Sequence, residues 1–122
     1  MTDKINPPHY RQQPVECIDL TEHLTFTFGN AFKYVWRYRD KNGIEDLHKA
    51  AWYLQHHITA QPSVYWLDTE TYVSGINALG DCNFDERQRV ILLKIWTAAH
   101  APDGSELPAA LQLINQLIQE AV

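Results

Sequence analysis

Apolar residues recur every three or four positions along most of the chain, a spacing typical of amphipathic helices. The clearest stripe predicts a helix from about residue 44 to residue 58 and consists of Leu47, Ala51, Leu54 and Ile58. Residues 85–100, and a last segment from about residue 106 onward, show the same period. The pattern therefore predicts an all-α fold, a compact domain of about five helices.

The stretch before residue 44 predicts an antiparallel partner for this helix. Residues 30–39 contain neither proline nor glycine and predict a helix with Asn30 as its N-cap. Lys41, Asn42 and Gly43 are typical turn residues. A helix-turn-helix hairpin is therefore expected at about residues 30–58, at the centre of the domain.

The other segments carry weaker signals. Three prolines within residues 1–14 predict an extended arm, and residues 15–24 predict a short amphipathic helix. Residues 64–79 are ambiguous because Gly75 and β-branched residues dilute the helical period, and we favour a helix there. We expect residues 1–61 to form one helical region and residues 62–122 a helical extension packed into the same domain, with all four tryptophans in the core.

Composition limits the classes of protein that the chain can belong to. Its 122 residues and 45% apolar content suit one compact domain. No apolar run is long enough to span a bilayer, and the start of the sequence lacks a signal-peptide pattern, so no membrane association and a cytoplasmic location are expected. The two cysteines lack metal or redox spacing and are expected as reduced thiols.

Charge is distributed unevenly along the chain. The net charge is −5, but residues 1–61 hold seven Lys/Arg against seven Asp/Glu, while residues 62–122 hold three against eight. An acidic chain is poorly suited to stable nucleic-acid binding, which needs many cations to neutralise phosphates. A local cationic cluster in the first half is better suited to a small anion.

Such a cluster lies on the predicted hairpin. Asn30, Lys33, Tyr34 and Arg37 fall on one face of the first helix. They combine charge, a ring for stacking and an amide donor, as a phosphate attached to a base requires. The hairpin should bring this face close to a face of the second helix that carries Asp46, Lys49 and Tyr53. An ordinary solvated face is the alternative, although residues 30–39 offer no acidic partner at helical spacing.

Other catalytic chemistry has little support in the sequence. Glu16 and Asp19 are three residues apart and could face a divalent cation together, but such pairs are common and no metal-binding motif accompanies them. We therefore predict no metal-ligand residues. The chain contains neither GxxxxGK[ST] nor GxGxxG, and neither its cysteines nor its serines have a recognisable His/Asp partner.

Four blocks within residues 5–58 carry a family resemblance: NPPHY (6–10), ECIDL (16–20), FGNAFKYVWRYRDKNG (28–43) and EDLHKAAWYL (45–54). In order and spacing they resemble a small family of phage and prophage proteins that includes a nucleotide kinase of the T-odd phages. The resemblance implies a helical domain that binds nucleotides without a P-loop. It also implies transfer of phosphate from a nucleoside triphosphate to the deoxynucleoside monophosphates of thymine and guanine.

The resemblance also implies roles for particular residues. The expected catalytic residues are Lys33, Arg37 and Asp46, and the expected substrate-binding residues are His9, Tyr10, Asn30, Tyr34, Lys41, Lys49 and Tyr53. Cationic side chains would offset phosphate charge, a tyrosine would stack on the base, and Asp46 would orient a hydroxyl or an arginine. Mg²⁺ is a candidate cofactor with the triphosphate. A phage-encoded protein would act in the host cell cytoplasm.

Two alternatives remain open at this stage. The first is an all-α nucleoside triphosphate pyrophosphohydrolase in which Glu16, Asp19 and Glu45 or Asp46 hold Mg²⁺. The second is a non-catalytic phage protein that binds and inhibits a host enzyme, or sequesters a nucleotide, with the acidic second half as its interaction surface. A homo-oligomer is a candidate assembly in each case.

Overall fold

The computed structural model describes residues 13–100 and 105–121, which form six α-helices and no β-strand. The all-α prediction is confirmed. The helices are α1 (Cys17–Thr21), α2 (Phe26–Arg37), α3 (Ile44–Ala60), α4 (Thr69–Asp81), α5 (Glu86–Ala98) and α6 (Glu106–Ala121). Of these described helices, none is both long and apolar enough to cross a membrane.

The helices α2 and α3 form the predicted hairpin and pack against each other along their length. The connection turns at Gly43, whose φ of +56° lies in a region that side chains with a Cβ rarely adopt. Its amide donates a hydrogen bond to the Tyr38 carbonyl at 2.9 Å. The turn therefore closes directly after α2 and starts α3 at Ile44, as the sequence predicts.

The second half of the chain covers the inner face of this hairpin. Helix α5 packs against α2, and α6 packs against both α3 and α5. Gln88 of α5 is buried, and its side-chain amide donates to the carbonyls of Val35 and Trp36 at 3.0 and 3.1 Å. Those carbonyls lie in the last turn of α2, where no helical partner is available. The contact satisfies them and fixes α5 against the hairpin.

Two helix starts differ from the predictions. Helix α2 begins at Phe26 with Thr25 as N-cap, so the prediction of Asn30 as N-cap is wrong. Burial of Phe28 against the ring of His57 offsets the low helix propensity of Gly29 and extends the helix backward. Helix α4 begins at Thr69, later than predicted, because the Asp68 side chain caps it by accepting from the Thr71 amide at 2.7 Å.

The prediction that all four tryptophans belong to the core is wrong for two of them. Trp36 and Trp96 are buried, whereas Trp52 is 60% exposed and Trp66 is 47% exposed. The neighbours Ala50 and Leu54 face the interior of α3, and this orientation turns Trp52 outward. The outward face of the hairpin therefore carries a large aromatic side chain.

Candidate functional site

The outward face of the hairpin carries a tyrosine ring surrounded by cationic groups. The Lys33 ammonium lies 4.5 Å from the centroid of the Tyr34 ring. The Arg37 guanidinium lies 5.2 Å from the same centroid, and the Lys49 ammonium lies 5.4 Å from it. Both helices contribute, as the hairpin pattern predicts. We call Lys33, Tyr34, Arg37, Lys49 and Tyr53 the cationic tyrosine cluster.

Tyr53 extends this cluster toward exposed aromatic side chains. Its ring is nearly parallel to that of Tyr34, with centroids 6.1 Å apart and an interplanar angle of 15°. Phe26 and Trp52 meet Tyr53 edge-on at centroid distances of 5.9 and 5.1 Å. Phe26 is 73% exposed. The surface is thus cationic around Tyr34 and aromatic around Tyr53.

Phe26 and Trp52 are functional candidates that the sequence reasoning missed. Phe26 lay before the predicted helix start, and Trp52 was assigned to the core. One available signal was position: Trp52 directly precedes Tyr53 in the sequence and is not on the apolar stripe of its helix. Their exposure follows from the packing of α2 and α3 and could not be read from hydrophobicity.

Arg37 and Asp46 contact each other across the hairpin. The guanidinium donates to the two carboxylate oxygens at 3.1 and 3.3 Å, and one of these oxygens also accepts from the Asn42 amide at 3.2 Å. Asp46 is fully buried, with 0% exposure, whereas the Arg37 side chain is 17% exposed. A group so enclosed cannot contact a ligand directly. Of the two roles expected for Asp46, orienting an arginine fits this geometry.

This ion pair also has a structural explanation. Arg37 lies in the last turn of α2 and Asp46 in the first turn of α3, where their charges interact favourably with the helix dipoles. The ion pair therefore stabilises the turn between α2 and α3. It also holds the Arg37 guanidinium beside the Tyr34 ring.

The other predicted residues make local contacts, lie in the turn or fall outside the described residues. The Asn30 side chain donates to the Phe26 carbonyl at 2.9 Å, within its own helix. Lys41 lies in the exposed turn between α2 and α3, and the Lys49 ammonium is 4.0 Å from the Glu45 carboxylate. His9 and Tyr10 lie outside the described residues.

The acidic pair near the start of the chain has a local role. Glu16 and Asp19 form a capping box at α1, in which each side chain accepts from a backbone amide of that helix end. Within residues 13–100 and 105–121, no group of three or more His, Cys, Asp or Glu side chains is arranged to hold a metal ion.

Cys17 lies in the first turn of α1, and its thiol is not activated. Burial raises the pKa of Cys17 to about 12, although the charges of Lys33 and Arg37 act in the opposite direction. The thiolate, which is the nucleophilic form, is therefore scarce at neutral pH. Helix α1 packs against α2, the helix that carries Lys33 and Arg37.

Comparison with protein families gives a match within the first half of the chain. Residues 4–55 match the family DUF3310, described as a protein of unknown function. The match covers less than half of the chain and includes α1, α2 and most of α3. Neither a curated protein nor a solved structure is significantly similar to the chain. All five residues of the cationic tyrosine cluster fall within the matched segment.

Proposed function

We propose that this protein binds a nucleotide on the cationic tyrosine cluster and transfers a phosphoryl group from a nucleoside triphosphate to a deoxynucleoside monophosphate. The observation that carries the proposal is the placement of Lys33, Arg37 and Lys49 within 5.4 Å of the centre of one tyrosine ring. The sequence resemblance to phage nucleotide kinases covers nearly the same residues as the family match.

The positive charge around Tyr34 supports the binding of a phosphate group at this end of the site. Three cations lie around Tyr34. The buried Asp46 carboxylate pairs with Arg37, and the exposed Glu45 carboxylate lies 4.0 Å from the Lys49 ammonium. The remaining positive charge favours an anion, and charge-assisted hydrogen bonds to phosphate oxygens are about twice as strong as neutral ones. Arg37 is held by Asp46, so the guanidinium is already positioned beside Tyr34 when a phosphate arrives.

The aromatic rings around Tyr53 support the binding of a base at the other end of the site. Tyr53 and its neighbours Phe26 and Trp52 form an aromatic surface directly beside the cations. Stacking of one base on an aromatic side chain contributes about 1–3 kcal/mol and tolerates different bases. The arrangement therefore matches the two chemically different ends of one nucleotide.

Phosphoryl transfer requires few specialised groups from the protein. The terminal phosphate of the donor passes to a phosphate oxygen of the monophosphate, giving two diphosphates, and the transition state is stabilised mainly by positioning and positive charge. Lys33, Arg37 and Lys49 can supply both. A triphosphate donor brings Mg²⁺ as its own counterion.

We expect Lys33→Ala and Lys49→Ala each to weaken the binding of deoxythymidine monophosphate about tenfold, because each removes one charge-assisted contact worth about 1.4 kcal/mol. Lys94→Ala is the matched control. It removes the same charge from a lysine on α5, which lies 3.7 Å from Glu106 and outside the cluster. Isothermal titration calorimetry on the three variants and the wild type measures the difference.

Equal affinities for all three variants would rule out the cluster as the phosphate site. Catalysis is tested separately by following transfer of labelled phosphate from ATP to deoxythymidine or deoxyguanosine monophosphate with Mg²⁺. Tight binding without turnover would instead select the sequestering alternative. Release of pyrophosphate from a triphosphate would select the pyrophosphohydrolase.

A further inference from the structure

A cavity lies at the open end of the hairpin, and no residue of the cationic tyrosine cluster lines it. Its volume is about 390 Å³, within the usual range for small-molecule sites. Five separate segments meet there: α2, the end of α3, the connection before α4, the end of α5 and the start of α6. The lining residues are Phe28, His57, Ile58, Gln61, Pro62, Val64, Trp66, Ala98, Glu106, Leu107 and Pro108.

The wall of this cavity is mainly apolar and partly aromatic. Phe28 and Leu107 are buried, while Trp66 is 47% exposed. The His57 ring lies 4.3 Å from the Phe28 ring, centroid to centroid. Flat side chains at several points favour a flat ligand, because aromatic pairs add stabilisation beyond the area that they bury.

Three polar side chains, His57, Gln61 and Glu106, interrupt the apolar wall. The His57 Nδ1 atom lies 2.6 Å from the Thr27 hydroxyl, and this bond fixes the orientation of the ring. Burial, together with the charge of His56, lowers the pKa of His57, so the imidazole is neutral at neutral pH. Glu106 contributes a carboxylate that lies 3.7 Å from the Lys94 ammonium.

These groups define the chemistry of a ligand. The Glu106 carboxylate accepts hydrogen bonds, and Lys94 balances its charge. A neutral histidine adds no charge. A charged ligand would therefore lose hydration in the apolar cavity without an opposite charge to compensate it. A neutral ring with an N–H group would retain its hydrogen bond and bury its apolar faces.

We propose that this cavity, the His57–Glu106 cavity, binds a small uncharged heteroaromatic molecule whose N–H group donates to the Glu106 carboxylate. The ring packs between the apolar residues of α2, α3 and α6. This site is independent of the proposed phosphoryl transfer, since the two sets of residues do not overlap.

The test uses indole, with benzofuran as a matched probe of the same shape that carries an oxygen in place of the N–H group. Each is titrated into the full chain, and methyl resonances of Ile58, Val64 and Leu107 are followed by NMR. We expect saturable shifts of these methyl groups, with indole binding about five- to tenfold more tightly than benzofuran because of its hydrogen bond.

Two variants separate the parts of the proposal. Val64→Trp fills the cavity and should abolish the shifts, with circular dichroism to confirm that the helices remain. Glu106→Leu removes the acceptor and should make the two probes bind equally. The proposal is overturned if indole produces no saturable shift at these methyl groups in the wild type, or if indole and benzofuran bind the wild type equally.

Discussion

Gly75→Ala is expected to lower the free energy of unfolding by about 3 kcal/mol, the largest loss that we expect from adding a single methyl group to this protein. A Cβ at residue 75 would lie closer than 3.0 Å to several atoms of the Trp96 indole, a distance that real contacts do not show. Trp96 is 1% exposed and donates to the Tyr72 carbonyl at 2.9 Å. The indole cannot move away without losing this bond and disturbing the core.

Gly80→Ala is the control for this change. Gly80 lies on the same helix, and a Cβ there would meet no atom within 4 Å. Alanine at this position should leave stability unchanged or raise it by roughly 0.5–1 kcal/mol, since alanine favours helix more than glycine does. Thermal unfolding should show a fall of roughly 10 °C for Gly75→Ala and none for Gly80→Ala. Similar melting temperatures would show that the core around Trp96 adjusts freely.

Asp46→Asn is expected to lower the free energy of unfolding by about 3 kcal/mol, because breaking a buried ion pair from one side is strongly destabilising. The amide group would present N–H donors toward the donors of Arg37 and lose the charge that balances the guanidinium. It would also weaken the bond from the Asn42 amide that closes the turn. Urea denaturation measures the change directly.

Glu45→Gln is the matched control for Asp46→Asn. It removes the same charge from the same helical turn, but the Glu45 side chain is 64% exposed and lies 4.0 Å from the Lys49 ammonium. Exposed pairs of this kind contribute roughly 0–1 kcal/mol. A variant at Asp46 that is as stable as the one at Glu45 would contradict a structural role for the buried pair.

Asp46→Asn also bears on the proposed function. At temperatures where the variant is fully folded, release of Arg37 should weaken nucleotide binding as well, because Asp46 positions the guanidinium beside Tyr34. A variant that loses stability but retains its full nucleotide affinity would show that Asp46 contributes only to stability. It would also show that nucleotide binding does not depend on the positioning of Arg37 by Asp46.

Much of the hairpin could be predicted because its signals are local. The apolar stripe of α3 and the Asn42-Gly43 turn specify two antiparallel helices and their register. This register brings Arg37 to Asp46 and Tyr34 to Tyr53. The candidate site therefore follows from helical spacing, as far as residues on these two helices are concerned.

The surroundings of the site depended on packing between distant segments. The exposure of Trp52 and Phe26 depends on which faces of α2 and α3 the helices α5 and α6 cover. The His57–Glu106 cavity joins residues from five segments, from Phe28 to Pro108. No local pattern describes such a cavity, because its walls are close in space and far apart along the chain.

The amino-acid sequence alone determined that this protein is helical, where its central hairpin turns, and which charged and aromatic residues share a face, since these depend on interactions within a few residues. Only the tertiary structure decided which tryptophans are exposed, that Asp46 is enclosed beside Arg37, and where the His57–Glu106 cavity lies. These features result from competition among helices for burial against one another, and its outcome depends on the whole chain.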